Sequence, residues 1–288
     1  MKNRKTAFSL LLALILLGCG VQAFAEGSAP VAENLELRTY RNVSVGSRLK
    51  AFDPDDDVVS YSITTDPVKG SIELEENGCF VYTPRENKRG RDYFGYKAVD
   101  SEGNLSQEAT VIIRIEKQKK NVSYTDLEGD GCAWAATALS ESGIFTGEQI
   151  GDSFCFCPER TVCRGEFLAM CLRLQGGEAM QAVMRTGYAD DAAIPVWLKG
   201  WCAASRLNGT APAKMRLDPF APIRADEAAA WLSRTLDLPE ISYLTDHAGE
   251  TQAQRKLTAY GIPAPTGSAT LTRAQAAMML AAALALQA

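Results

Sequence analysis

The sequence predicts a two-domain β + α protein, with an N-terminal β-sandwich followed by a mainly helical region built from three repeats. Short runs of alternating apolar and polar residues, separated by Asp, Gly, Pro and Asn, fill the chain after residue 34 and indicate strands. Beyond residue 120 the apolar residues recur every three or four positions, which is typical of amphipathic helices. A length of 288 residues leaves room for about two domains.

Residues 1–25 have the pattern of an export signal. Three basic residues precede an apolar run from Ala7 to Leu17, which is too short to span a membrane. Small residues favour cleavage after Ala25, and the alternative is a lipobox-like site whose Cys19 would carry a lipid. Either route predicts a secreted protein at the cell surface, and cleavage predicts no stable membrane insertion.

The composition argues against several classes of function. A net charge of −5 does not favour binding of nucleic acid, which requires clustered Lys and Arg to neutralise phosphates. His247 is the only histidine, which argues against His-based metal catalysis and against a Ser-His-Asp triad. The sequence contains no evident pair of catalytic carboxylates and no Cys/His couple. We therefore expect a protein that is not an enzyme and needs no cofactor.

Five alternating runs predict the strands of a sandwich of about 85 residues within residues 30–117. They are Val58 to Thr64, Ser71 to Leu74, Phe80 to Thr83, Tyr93 to Val99 and Thr110 to Glu116. Motifs within and around these runs include Ala51-Phe52-Asp53-Pro54-Asp55, Lys69-Gly70-Ser71-Ile72, Asp92-Tyr93-Phe94-Gly95-Tyr96 and Val99-Asp100-Ser101-Glu102-Gly103-Asn104. In this order they resemble the cadherin-like, immunoglobulin-like modules of bacterial surface proteins. The resemblance implies a spacer or an adhesive stalk.

Acidic residues in two turns of the sandwich are candidate ligands for Ca²⁺, which prefers six to eight oxygens. The candidates are Asp53, Asp55, Asp57 and Asp100, with Glu102 beside the last. The alternative is that they are ordinary turn residues whose carboxylates accept hydrogen bonds from local amides.

The helical region contains three copies of one pattern, at residues 121–176, 185–238 and 240–287. A repeat of roughly 50–60 residues indicates units that bury their apolar faces on one another. The six predicted helical segments are Ala133 to Leu139, Glu166 to Leu174, Ile194 to Ala204, Asp226 to Leu236, Gln252 to Tyr260 and Arg273 to Leu286. The charged segment 117–120 before them is the predicted hinge between the domains.

The marks of the first copy, in order, are Tyr124-x-Asp126, Trp134-Ala135, Gly143-Ile144-x-x-Gly147, Phe156-x-Pro158 and Arg164-Gly165-Glu166. They resemble the S-layer homology (SLH) repeat. The resemblance implies a three-pronged pseudo-trimer around a central helical bundle. It also implies that the grooves between the prongs bind secondary cell-wall polysaccharide, often pyruvylated, and so attach the protein to the wall without a covalent bond.

The resemblance points to polysaccharide-binding residues at helix starts and in the grooves. Arg164 and Arg273 each offer a bidentate guanidinium to a carboxylate beside a helix N-terminus, and Thr272 precedes the second of them. Trp134 and Trp197 offer flat apolar faces for sugar rings, with core packing as the alternative for Trp134. On this interpretation Arg273→Ala lowers wall binding and costs no more than about 1 kcal/mol of stability.

Two further candidates have structural alternatives, and a third is displaced by one residue. Asp126 and Gly147 are candidate groove residues that also suit a turn and a helix C-cap, respectively. In the second copy an ungapped alignment puts Arg224 one position early and Ala225 where the arginine is expected. One position at a helix start rotates a side chain by about 100°, so we expect only one or two working grooves.

Seven cysteines lie outside the leader, mostly in the first repeat. The spacing of Cys155, Cys157, Cys163 and Cys171 fits structural zinc poorly because it has no paired knuckles. We expect mainly buried, unpaired thiols, with one or two disulfides as the alternative.

The favoured function is therefore a non-enzymatic surface protein that is held by wall polysaccharide and displays a β-sandwich. The alternatives are an accessory subunit of a wall hydrolase and an adhesin whose sandwich binds carbohydrate or protein.

Overall fold

The computed structural model describes residues 27–56, 58–212, 216–241 and 249–287. The export signal with Cys19 lies outside the described residues, as do Asp57 and His247. Within the described ranges, no helix has both the length and the apolar character needed to cross a membrane.

The N-terminal part is a β-structure and the later part is helical, as predicted. The N-terminal strands are β1 Val31–Ala32, β2 Leu35–Tyr40, β3 Val45–Arg48, β4 Ala51–Phe52, β5 Val58–Thr65, β6 Gly70–Leu74, β7 Cys79–Pro84, β8 Gly90–Asp100 and β9 Ala109–Glu116. The helices are α1 Ala133–Glu141, α2 Arg164–Leu174, α3 Val196–Asn208, α4 Ala225–Thr235, α5 Gln252–Ala259 and α6 Arg273–Gln287. A hairpin of β10 Glu148–Ile150 and β11 Ser153–Cys155 lies between α1 and α2. The five predicted strands and six predicted helical segments are confirmed, whereas β1 to β4 and this hairpin were not predicted.

Two sheets form the N-terminal sandwich. One has the strand order β2-β9-β8-β5 and the other β3-β7-β6, and only the β2–β9 pair is parallel. In β7 and β9 every second side chain is buried, as expected for strands with one face towards a core. The core between the sheets is rich in aromatic rings, with Phe80 and Phe94 packed edge to face at 5.3 Å.

The two domains are joined by backbone contacts in addition to the linker. Gly46 N in β3 donates to Gly131 O at 2.8 Å, and Trp134 N in α1 donates to Ser44 O at 3.1 Å. The side chain of Trp134 packs against both hydrophobic cores. The linker is also held, because Glu141 at the end of α1 accepts hydrogen bonds from two of its backbone amides. The segment predicted as a hinge is thus attached to α1.

The three helical repeats meet in a closed ring of backbone hydrogen bonds. Val162 N donates to Leu271 O, Leu271 N to Ile223 O, and Ile223 N to Val162 O, each at 2.9 Å. All three side chains are fully buried. Each repeat therefore contacts both of the others at equivalent positions.

The ring fixes which residues correspond at the starts of α2, α4 and α6. Two residues after each ring position, a backbone amide donates to a carbonyl of the next repeat. These bonds are Arg164 N to Ala221 O at 2.9 Å, Ala225 N to Ala269 O at 2.8 Å and Arg273 N to Arg160 O at 2.8 Å. Ala225 thus occupies the position that is an arginine in the other two repeats, as in the ungapped alignment.

Candidate functional site

A cleft of about 670 Å³ lies where the start of α2, the outer face of α4 and the start of α5 meet. Its lining residues are Arg164, Pro212, Arg224, Asp226, Glu227, Ala230, Trp231, Arg234, Thr251, Gln252 and Ala253. All three repeats contribute to this lining. Three arginines face two carboxylates in the cleft, so its lining has an excess of one positive charge.

Arg164 is the most enclosed cation of the cleft. Its guanidinium lies 5.5 Å from the centre of the buried Trp231 ring, and its Nη2 is 3.1 Å from Glu227 Oε1. Its Nε is buried and has no hydrogen-bond partner within the part of the chain that the structure describes. The stack and the ion pair hold the guanidinium in place, which favours recognition of a planar anion.

Arg224 lines the same cleft, although it stands one residue before the equivalent of Arg164. Its Nε and Nη2 donate to both carboxylate oxygens of Asp226, at 3.1 and 2.9 Å. The pair is open to solvent, with 54% of the Arg224 side chain exposed. Arg224 therefore lines the same cleft as Arg164, although its one-residue offset predicted that it would not reach the groove.

The guanidinium of Arg273, the counterpart of Arg164 in the third repeat, is bound by the protein's own groups. It is 3% exposed, its Nη1 donates to Phe156 O at 2.8 Å, and its Nη2 lies 3.1 Å from Glu148 Oε1. Its guanidinium also stacks over Phe145, 5.1 Å from the ring centre. The chain's own Glu148 therefore occupies the carboxylate position beside this arginine, and these contacts lead us to expect a larger loss of stability in Arg273→Ala than the sequence suggested.

Asp126 holds a turn in the first repeat. Its Oδ1 accepts from Phe156 N at 2.9 Å and its Oδ2 from Cys157 N at 2.6 Å. Cys157 has a φ of +55°, which a non-glycine residue adopts at an energetic cost, so the two bonds stabilise a strained turn. Although desolvation raises the pKa of Asp126, the amides and the Cys155 thiol outweigh it and lower the pKa below its usual value.

The second repeat builds the same turn without cysteines. Asp190 accepts from Leu217 N at 2.9 Å and from Asp218 N at 2.8 Å, and Asp218 has a φ of +50°. Desolvation raises the pKa of Asp190, but the two amides and the nearby charge of Arg216 lower it overall. We call this arrangement, an aspartate that binds two consecutive amides of the turn before a proline, the Asp cradle.

The first Asp cradle also brings two thiols together. Cys155 Sγ lies 3.1 Å from Asp126 Oδ2 and 3.2 Å from Cys157 Sγ, and all three side chains are partly exposed. The hydrogen bonds to Asp126 and Cys157 raise the pKa of Cys155 to about 12. Cys163 and Cys171, the other two cysteines of the spacing that fits structural zinc poorly, are not part of this group.

The remaining groove candidates are spread over the helical region. Trp134 lies between the two domains, and Trp197 is 53% exposed at the start of α3, outside the lining of the cleft. Gly147 has a φ of +85°, and a Cβ there would lie 2.6 Å from the carbonyl oxygen of Cys155, so glycine is required by the hairpin. Thr272 exchanges hydrogen bonds with Gln275 and caps α6.

The acidic turns of the sandwich use their carboxylates locally. Asp53 Oδ1 accepts from Asp55 N at 2.7 Å, and Asp100 Oδ1 accepts from the amides of Glu102 and Asn104 at 2.9 and 2.7 Å. Within the described residues, none of these carboxylates belongs to a set of three possible metal ligands as close as the one at Asp126. The geometry agrees with the alternative interpretation, in which these aspartates are ordinary turn residues and not ligands for Ca²⁺.

All seven cysteines outside the leader are free thiols. Three are buried, namely Cys132, Cys171 and Cys202. Burial raises the pKa of each, and that of Cys171 reaches about 12. The expectation of unpaired thiols holds in this structure, but only these three are buried.

The sequence did not reveal several residues of these sites. Arg234 and Trp231 lie within α4, where a tryptophan and an arginine suit an ordinary amphipathic helix. Glu148 belongs to the unpredicted hairpin and approaches Arg273 only in the folded chain. Asp126 lies 29 residues before Cys155 in the sequence, so no local pattern indicated that their side chains are in contact.

The comparisons with solved structures each cover about a third of the chain. The SrpA adhesin from Streptococcus sanguinis is 16% identical, with 36% of this chain and 64% of that chain covered and a TM-score of 0.27. The D00-D0 domain of intimin is 10% identical, with coverage of 32% and 50% and a TM-score of 0.25. The endo-fucoidan hydrolase MfFcnA4 is 17% identical, with coverage of 34% and 15% and a TM-score of 0.26. Similarities of this extent say nothing about what this chain binds.

No curated protein sequence matches the chain. The family model described as "Bacterial cadherin-like domain" matches residues 27–117, which is the range of the sandwich. The N-terminal part of the chain is therefore similar to bacterial cadherin-like domains.

Proposed function

We propose that the helical region is a set of three SLH repeats that attaches the protein to an anionic cell-wall polysaccharide. On this proposal the protein is exported, is not an enzyme, and displays its cadherin-like domain from the wall as a spacer or adhesion module. Support comes from the order of motifs in the repeats, from the ring of hydrogen bonds that joins them and from the similarity of the N-terminal part to bacterial cadherin-like domains.

The observation that carries the proposal is the cleft around Arg164. The Arg164 guanidinium lines this cleft and is held there by its stack on Trp231 and its ion pair with Glu227. Arg224 and Arg234 add two further guanidinium groups at the same cleft. A carboxylate-bearing sugar, such as one with a pyruvyl ketal, would bind there by charge-assisted hydrogen bonds.

The three equivalent positions suggest one working groove. Arg164 faces a cleft, its counterpart in the second repeat is Ala225, and Arg273 is already bound to Glu148. This asymmetry predicts a stoichiometry of one polymer segment per chain. It also explains how a protein with a net charge of −5 can hold an anionic polymer, because binding depends on the local placement of charge.

The test is sedimentation of the full chain with purified cell walls, before and after chemical removal of their secondary polymer. We expect binding that disappears with the polymer and that weakens at least about tenfold in Arg224→Ala and in Arg164→Lys, which keeps the charge but loses the planar fork. Arg216→Ala is the matched control. Like Arg224, Arg216 forms an exposed ion pair with an aspartate two residues later, but it lies outside the lining of the cleft. Equal binding by all three variants would contradict the assignment of the cleft.

A further inference from the structure

The Asp cradle of the first repeat differs from its counterpart in a way that changes its chemistry. The second repeat places Asp218 and Arg216 beside Asp190, and Arg216 Nε pairs with Asp218 Oδ1 at 3.2 Å. That set contains two carboxylates and one cation. In the first repeat, Cys157 stands at the position of Asp218 and Cys155 at the position of Arg216. The cradle there keeps its aspartate and lacks the cation.

The side chains of the first cradle already lie at metal-binding separations. One ligand atom from each of Asp126, Cys155 and Cys157 lies within 4.8 Å of the other two. A tetrahedral zinc ion with Zn–S bonds of about 2.3 Å and a Zn–O bond of about 2.1 Å places its ligands about 3.5–3.8 Å apart. The observed 3.1 and 3.2 Å require only a small opening of the side chains.

The backbone holds these ligands in position before any ion arrives. Asp126 is fixed by two amide hydrogen bonds, and Cys155 belongs to the β10–β11 hairpin. The carbonyl of Phe156, between the two cysteines, accepts from the buried Arg273. Ligands ordered in this way lose little conformational freedom when they bind a metal.

We propose that Asp126, Cys155 and Cys157 form a binding site for a thiophilic divalent cation such as Zn²⁺. Two thiolates and one carboxylate suit this ion, and the partial exposure of the three side chains leaves the fourth position to water. Binding of the divalent ion replaces the two thiol protons, which pass to solvent, so the net charge of the cradle does not change. The ion would join the segment at Asp126 to the β10–β11 hairpin and so brace the first repeat beside Arg273.

The experiment uses the full chain, reduced and kept free of oxygen, with Co²⁺ as a spectroscopic probe and Zn²⁺ as competitor. We expect one equivalent of Co²⁺ to give thiolate-to-cobalt charge-transfer absorption that Zn²⁺ removes. The matched variant is Cys155→Arg with Cys157→Asp, which installs the side chains of the second repeat on the same backbone. It should fold with unchanged helical circular dichroism and lose the absorption.

A second control is Cys79→Ser, which removes a partly exposed thiol of the sandwich and should leave the spectrum unchanged. Loss of one thiolate, as in Cys157→Ser, should weaken affinity by more than about 100-fold, since removal of a group that only orients a ligand already costs about 10- to 100-fold. The proposal is overturned if cobalt gives no thiolate band, or if the double variant keeps that band.

Discussion

Arg273 and Arg224 are both arginines at helix starts, yet the structure predicts opposite consequences for their removal. Arg273→Ala deletes a charge-assisted hydrogen bond to the carbonyl of Phe156, which is worth about 1.5–3 kcal/mol. The contact with Glu148 adds less than about 1 kcal/mol because that carboxylate is half exposed. The stack on Phe145 adds about 0.5–1 kcal/mol. The total is about 2–5 kcal/mol, against less than about 1 kcal/mol for the exposed pair of Arg224.

Circular dichroism at about 222 nm reports this difference, because every α-helix in the described residues lies in the C-terminal part. For a unit of this size, about 1 kcal/mol corresponds to about 2–4 °C in melting temperature. Arg273→Ala should therefore melt about 4–20 °C below the parent chain, and Arg224→Ala within about 4 °C of it. Arg273→Lys should recover part of the loss, because an ammonium can bond to one of the two acceptors. An Arg273→Ala variant that melts within about 2 °C of the parent would refute the reasoning.

The packing and the titrating groups lead to three further expected outcomes. Gly131→Ala should loosen the domains and raise the radius of gyration in X-ray scattering, since a Cβ there would lie 3.0 Å from Gly46 Cα. Below pH 3.8, the usual pKa of an aspartate, protonation of Asp190 should progressively lower the melting temperature, because its folded pKa is depressed. Asp190→Asn should cost about 1–3 kcal/mol at neutral pH and show a smaller decrease on acidification. A thiol reagent should label at most four cysteines of the mature native chain, and the other three only after unfolding. Those three are Cys132, Cys171 and Cys202.

The strands and helices could be predicted because each depends on a pattern within a few residues. The alternation in β9 and the three- and four-residue spacing in α4 survive in the folded chain as alternately buried side chains and one buried helix face. The hairpin β10–β11 has no such signal, since every residue of β10 is exposed. The hairpin follows the turn at Gly147, and Phe154 in β11 contacts the Tyr124 ring and forms a backbone bridge with Tyr124. These contacts depend on the tertiary fold.

The roles of individual residues were harder to predict, because they depend on partners that are distant in sequence. Trp134 and Trp197 occupy corresponding places in two repeats, but only Trp134 meets the other domain and is covered by it. Arg164 and Arg273 each stand two residues after a ring position and differ in their surroundings, since Arg164 lines a cleft and Arg273 meets Glu148. A repeat motif specifies the backbone position of such a residue but not its neighbours.

The divergence of the repeats has a physical basis in the ring itself. The ring uses only backbone amides and carbonyls and three buried aliphatic side chains, so it places no demand on the residues that project from the helix starts. Arginine, alanine and a glutamate-bound arginine can therefore stand at the three equivalent positions while the ring stays closed. The same holds for the Asp cradle, whose two amide bonds are kept whether Cys155 and Cys157 or Arg216 and Asp218 surround the aspartate. A scaffold closed by its backbone thus allows the first repeat to carry both Arg164 at the cleft and the group of Asp126, Cys155 and Cys157, while the second repeat has other residues at the corresponding positions.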